Sequence, residues 1–272
     1  MTLHTTRSIG KSQDPDAADE RARDAIASTS VQHGAIEGRL VRLHPATTVL
    51  SVAISGYLTI CLVFAGIGLL VTHELGPLTR WDGRVNQWFA DNRTSALNAW
   101  TGDATKIADT LGILVVLAAA VIVLLVLRRR WDAVFLVVAL SLELLTFLTV
   151  NFVVDRPRPD VARLGSLPST SSYPSGHSAA TFALYGGLAF LVSRQVRSRI
   201  VGAMCWIVAV VATAAIAFSR VYRGMHHPSD VAAGMLLGVA VLCVALVAAR
   251  TGERAAAHRH RPAPVLPTLD HE

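Results

Sequence analysis

Three short blocks of this 272-residue chain hold the side chains best suited to chemistry. The first is Asp155-Arg156-Pro157-Arg158-Pro159, the second Tyr173-Pro174-Ser175-Gly176-His177, and the third Ser219-Arg220 followed by His226 and, four residues on, Asp230. Arg158 and Arg220 offer forked, permanently charged donors that match the oxygens of a phosphate. Ser175 and Gly176 stand just ahead of an apolar run that reads as a helix. The free N–H groups and positive dipole end of such a helix favour an oxyanion, and a glycine lets phosphate come close to the backbone. Two arginines, a glycine at a helix start and nearby histidines are the parts from which phosphate chemistry is built.

The elements that must position these blocks are membrane spans. With 52% hydrophobic and 16% charged residues, the composition excludes an ordinary soluble domain. Six apolar runs, over residues 47–72, 109–127, 132–154, 178–193, 200–218 and 229–249, approach the roughly 20 helical residues needed to cross a bilayer. The expected fold class is all-α, a polytopic membrane protein of six transmembrane helices. A short amphipathic segment within residues 73–108, carrying Trp81, Trp88 and Trp100, is expected at the membrane surface between the first and second spans, as an anchor or as a roof over the site. The loops holding the blocks follow the third and fifth spans, so they lie on one face of the membrane and can form one site.

Residues 1–46 and 251–272 read as disordered tails flanking one six-span domain over 47–250. Some 46 mostly polar residues precede the first run, which is the wrong layout for a cleavable signal and leaves the first span in place. Arginine and lysine near span ends number twelve on the side of both termini and nine on the other, or seven once Arg158 and Arg220 are assigned to a ligand. That asymmetry predicts cytoplasmic termini and a site on the extracytoplasmic face of the inner (plasma) membrane. The +6 net charge is explained by this orientation and calls for no nucleic acid. Cys61, Cys205 and Cys243 lie within spans and read as packing residues, not as a disulfide or metal set. Glu143, near the middle of the third span, reads as a structural hydrogen bond inside the bundle, with a proton relay as the alternative.

Taken together, the blocks resemble the three-part signature of the type 2 phosphatidic acid phosphatase superfamily, the lipid phosphate phosphatases, in its bacterial membrane-integral branch. The family pattern is Lys-six residues-Arg-Pro, then Pro-Ser-Gly-His, then Ser-Arg-five residues-His-three residues-Asp. The second and third blocks match completely, whereas the first reads Asn151-six residues-Arg158-Pro159. The resemblance implies hydrolysis of a lipid phosphate, a phosphatidate, phosphatidylglycerol phosphate or polyprenyl phosphate or diphosphate, through a phosphohistidine on His226. It implies that His177 protonates the leaving alkoxide and later activates water, and that no metal or other cofactor is needed. Arg158, Ser175, Gly176, Arg220 and Asn151 would hold the phosphate.

If Pro228 begins the sixth helix, Asp230 falls in its first turn and can reach back to a ring nitrogen of His226. His227 is one position off that spacing and is expected at the rim. Asn151 in the lysine position removes a cation; activity is expected to be retained with Asn151 as a neutral donor and Arg156 or Lys106 compensating, lost catalysis with lipid binding preserved being the alternative. Two other classes remain in view. A binding or transport protein for lipid phosphates would use the arginines without needing the His226/Asp230 pair, and a vanadate-dependent haloperoxidase would be soluble.

Overall fold

The computed structural model describes residues 44–107, 109–166 and 169–259. The expected N-terminal tail lies outside the described residues as far as residue 43, and so does the C-terminal tail beyond residue 259. All regular structure among the described residues is helical.

Helix α1 (Pro45–His73) starts where Pro45 follows His44, whose ring nitrogen accepts from the Ala46 N–H at 3.3 Å. Two shorter helices follow, α2 (Gly76–Asp91) and α3 (Ser95–Ile107), then α4 (Thr110–Val126) and the long α5 (Arg130–Val154). Residues 176–195 form one continuous helical rod, in which α6 (Gly176–Thr181) passes through a wide π turn (Phe182–Gly186) into α7 (Gly187–Gln195). Ser198 caps α8 (Arg199–Tyr222), and Pro228 opens α9 (Pro228–Arg259). The last helix thus runs nine residues past the boundary expected at 250.

Among the described residues, four helices are long and apolar enough to cross a membrane, α1, α5, α8 and α9, with a fifth span if α3 and α4, bent by 46° at their junction, are counted as one. The second and fourth expected spans correspond to the shorter α4 and to the α6–α7 rod.

Helices α5 and α9 form the centre, with half of their apolar stretch buried, against 22% for α1 and 28% for α8. Large apolar side chains on the outer faces are open, Phe152 to 86% and Leu62 to 77%. Water disfavours such a surface and hydrocarbon does not, so the bundle is built inside-apolar and outside-apolar. Cys61 packs against the core as expected, but Cys243 is on the open face.

Close approach of α6 to α9 fixes the site. A Cβ on Gly234 would come within 2.4 Å of the Ser175 carbonyl oxygen, and one on Gly238 within 2.9 Å of that of Ala179. The small-xxx-small spacing lets the two backbones touch. Ser175 N–H then donates to the Asp230 carbonyl at 3.0 Å, tying the second chemical block to the third.

Candidate active site

Helix α5 ends at Asp155, in the left-handed region at φ 44°, and two prolines keep the following chain extended. This turn sends Arg156 and Arg158 back over the bundle end, where they meet residues 170–177 and the α8–α9 connection. The three blocks converge at one end of the bundle.

A cavity of about 260 Å³ opens between them. Arg158, Gly176, His177, Arg220 and His226 line its polar end, with the Phe147 ring against Gly176, while Ile113 and Leu117 of α4 and Leu140 and Leu144 of α5 line the other. The shape suits a phosphate carried on an apolar stem. A larger groove of about 1380 Å³ lies between α1 and α5 near Arg130 and Trp131, and contains none of these groups.

Arg220 is 4% exposed, and its Nε has no hydrogen-bond partner among the described residues. Burying a guanidinium unpaired is costly, so this side chain is set for an anion that enters the cavity. Arg158 is more fully held. Its Nε donates to the Thr170 carbonyl at 3.2 Å, Nη1 to the Met225 carbonyl at 2.5 Å, and Nη2 to the Thr170 hydroxyl at 3.2 Å and the Ser171 carbonyl at 3.1 Å.

His226 is 3% exposed. Its Nδ1 lies 2.7 Å from the Ser172 carbonyl oxygen. A carbonyl only accepts, so Nδ1 carries the proton and the lone pair is left on Nε2. Burial, reinforced by Arg220 and Arg158, pushes this imidazole well below the usual histidine range and keeps it neutral. His177 lies across the cavity with Nε2 3.7 Å from Asp109.

The partner expected for His226 is elsewhere. Asp230 Oδ2 is 3.9 Å from His226 Nδ1, too far for a hydrogen bond. It accepts instead from the Ser172 hydroxyl at 2.5 Å and from the His227 backbone N–H at 2.8 Å, while Oδ1 accepts from Arg156. Asp230 therefore reaches His226 through Ser172, whose hydroxyl it holds and whose carbonyl holds the ring.

Three other residues depart from expectation. Asn151 does not face the cavity: its Nδ2 donates to the carbonyls of Ser171 at 3.0 Å and Tyr173 at 3.2 Å, and its Oδ1 accepts from the Ser171 N–H at 3.0 Å. An amide can both donate and accept, which a lysine cannot, and here it clamps the loop carrying Ser172. Ser175 is fully buried, its hydroxyl 3.1 Å from that of Ser178, so only Gly176 of that pair reaches the cavity. The ring of Phe147 lies 3.0 Å from where a Cβ on Gly176 would be, so a larger residue there would require the ring to shift. His227 is buried rather than at a rim, with Nε2 3.3 Å from the Pro157 carbonyl and Nδ1 unpartnered among the described residues.

Neither expected substitute cation faces the cavity. Lys106 is exposed and pairs with Asp103 at 2.9 Å. Arg156 is 2% exposed and spans two carboxylates, Asp230 and Asp82, the latter at 2.8 Å.

Asp82 and Asn86 of α2 were not singled out by sequence. Asp82 also accepts from the Ser229 N–H at 3.0 Å and from the Ser229 hydroxyl, and Asn86 Nδ2 donates to the His226 carbonyl at 3.0 Å. Helix α2 buries this polar pair, four residues apart, and leaves Trp81 and Trp88 open to 46% and 59%. The visible signal was that inversion, polar residues at helical spacing opposite tryptophans, which suits a helix covering a polar site beside a membrane. Thr101 and Thr105 of α3 fasten Ser219 in the same way, at 2.8 Å each. No cluster of metal-ligating side chains occurs among the described residues.

Comparison with known proteins agrees with this architecture. A family model described as the PAP2 superfamily matches residues 132–253. Phosphatidylglycerophosphatase B of Bacillus subtilis (strain 168) is 33% identical over 113 residues, 41% of this chain. The chain spans only 55% of that relative's length. YbjG of Escherichia coli (strain K12), named as a candidate undecaprenyl-diphosphatase, is 33% identical over 141 residues, 50% of this chain and 67% of that protein. The crystal structure of a transmembrane PAP2-type phosphatidylglycerolphosphate phosphatase from Bacillus subtilis shares the fold, with a TM-score of 0.61 over 72% of this chain and 94% of that one at 22% identity. The matched stretch runs from the start of α5 into the last turns of α9 and contains all three blocks and the polar end of their cavity, and the chain belongs to the PAP2 superfamily.

Proposed function

We propose that this protein is a membrane-integral lipid phosphatase that cleaves a phosphate ester or diphosphate through a phosphohistidine on His226. The observation that carries the reading is the buried, unpartnered Arg220 beside a neutral histidine, at the polar end of a cavity whose other end is apolar. A phosphate bound between Arg220, the remaining donor of Arg158 and the helix start at Gly176 would present its phosphorus to His226 Nε2.

In the first step the Nε2 lone pair forms a bond to phosphorus as the bond from phosphorus to the lipid oxygen breaks. Protonated His177 gives its proton to that oxygen, and the Ser172 carbonyl stabilises the charge growing on the His226 ring. In the second step neutral His177 takes a proton from water, whose oxygen attacks phosphorus, and the His226–phosphorus bond breaks to release inorganic phosphate. Arg220 and Arg158 face the charge that develops in both transition states. None of these steps is assigned to a metal.

The same reading makes α4 and the α6–α7 rod membrane-crossing, giving six spans with α2 and α3 along the surface. It puts both termini in the cytoplasm and the cavity at the extracytoplasmic face of the plasma membrane, as the charge asymmetry favours.

The test is release of inorganic phosphate from phosphatidate, phosphatidylglycerol phosphate and a polyprenyl diphosphate in detergent micelles. Release should persist in EDTA and be inhibited by vanadate, which imitates the five-coordinate transition state. Arg220→Ala should lower kcat by about 10²–10³, the effect of removing one preorganised donor. Binding of these lipids without release would replace the reading by that of a lipid-phosphate carrier.

A further inference from the structure

Glu143 lies on α5, 5% exposed, in the wall of the same cavity. The hydrogen bond expected of it within the bundle is not seen among the described residues, and it lines the cavity instead. Its neighbours along that wall are apolar: Leu140 and Leu144 beside it, Phe147 one turn on, and Ile113 and Leu117 across from α4. An ionised carboxylate among them would be costly, so the group serves there as a hydrogen-bonding acid.

Its depth can be read from the helix. The Phe147 ring abuts Gly176, at the polar end of the cavity. Glu143 is four residues before Phe147, about 6 Å further from that end at 1.5 Å per residue. It therefore stands beyond the phosphate position, at the level of the lipid stem. A stem of pure hydrocarbon would leave the carboxyl buried without a partner, which is unfavourable. A stem carrying a hydroxyl or ester carbonyl a few bonds from the phosphate would satisfy it.

We propose that Glu143 is a specificity-determining residue that hydrogen-bonds the polar backbone of a glycerolipid phosphate, and so selects that class over polyprenyl phosphates and diphosphates. The inference rests on the phosphatase reading and names the substrate of the same site. A polyprenyl chain offers nothing to Glu143 once the phosphates are bound.

The experiment compares kcat/KM for phosphatidate or phosphatidylglycerol phosphate with that for farnesyl and undecaprenyl diphosphates, in the wild type, Glu143→Gln and Glu143→Leu. The wild type should favour the glycerolipids. Glu143→Leu should lower the glycerolipid-to-polyprenyl ratio by about tenfold or more, equivalent to about 1.4 kcal/mol, and Glu143→Gln, which keeps a donor and an acceptor, should restore most of the ratio. A ratio cancels a general loss of folded enzyme, so a merely structural role of Glu143 would leave it unmoved. An unchanged ratio in Glu143→Leu, or a wild-type preference for the polyprenyl substrates, overturns the proposal while leaving the phosphatase reading intact. Absence of phosphate release from every lipid by the wild type overturns both.

Discussion

Arg156 Nη2 donates to Asp82 Oδ2 at 2.8 Å, joining α2 to the loop after α5 across 74 residues of chain. Because Nη1 of the same guanidinium holds Asp230, one buried cation fastens both the roof and the start of α9. Asp82→Ala should leave part of that cation uncompensated and cost about 3–5 kcal/mol of stability. Asp82→Asn, which still accepts a hydrogen bond, should cost less. Thermal unfolding in detergent measures both, and a wild-type Tm for Asp82→Ala would remove α2 from the machinery that supports the site.

The two adjacent histidines should separate cleanly. His226→Ala should abolish turnover and any acid-labile, alkali-stable phosphoenzyme, because of these two only His226 lines the cavity, with Nε2 left free by the bond at Nδ1. His227→Ala should still form the phosphoenzyme, since that ring faces Pro157 and Arg156 behind the site. Phosphate labelling that survived in His226→Ala would assign the nucleophile elsewhere.

At Asn151 the geometry reverses the simple expectation. Replacing it with the family's lysine should not help, because lysine cannot accept from the Ser171 N–H and the loop bearing Ser172 would lose its clamp. A buried donor left unsatisfied costs about 1–3 kcal/mol. Asn151→Lys should therefore lower both Tm and kcat, whereas Lys106→Ala, at an exposed residue paired with Asp103, should stay within about twofold of wild type in kcat/KM. A gain of activity in Asn151→Lys would mean that the side chain swings into the cavity.

Acid should destabilise the protein in a defined window. Burial, then Arg156, lowers His227 to about 4, against 6.5 for an unperturbed histidine. The unfolded chain then binds a proton that the folded chain refuses, so the stability present above pH 6.5 is lost as pH falls towards about 4. His226 is shifted in the same direction. Tm measured from pH 8 to pH 4 should fall below pH 6.5, and less steeply in His227→Gln, which has no titrating ring. Equal slopes in the two proteins would contradict the neutral, buried state of His227.

Orientation is open to a direct test. Reporter fusions truncated after Arg199 and after Arg223 should report opposite sides, cytoplasmic for the first and extracytoplasmic for the second. A cytoplasmic signal after Arg223 would invert the proposed topology.

The sequence by itself determined the all-helical membrane character, the convergence of three blocks at one bundle end, and the cavity positions of Arg158, Gly176, His177, Arg220 and His226. Apolar runs can settle only as buried or lipid-facing helices, and the number of crossings between two loops decides whether they share a face; both follow from local pattern. The tertiary structure alone decided which polar groups pair. Asp230 has the right spacing for His226, but a carboxylate binds the donors that packing brings to it, and Arg156, the Ser172 hydroxyl and the His227 N–H arrive first. Asn151 stands in a position that reads as a phosphate contact, yet residues 171–173 fold over its amide and use it as a clamp. Asp82 lies in α2, far from the blocks in sequence, and Glu143 in an apolar span, and their roles depend on distances between helices. Such distances are set by close contacts like those of Gly234 and Gly238 with the helix that begins at Gly176, which no single stretch of sequence encodes.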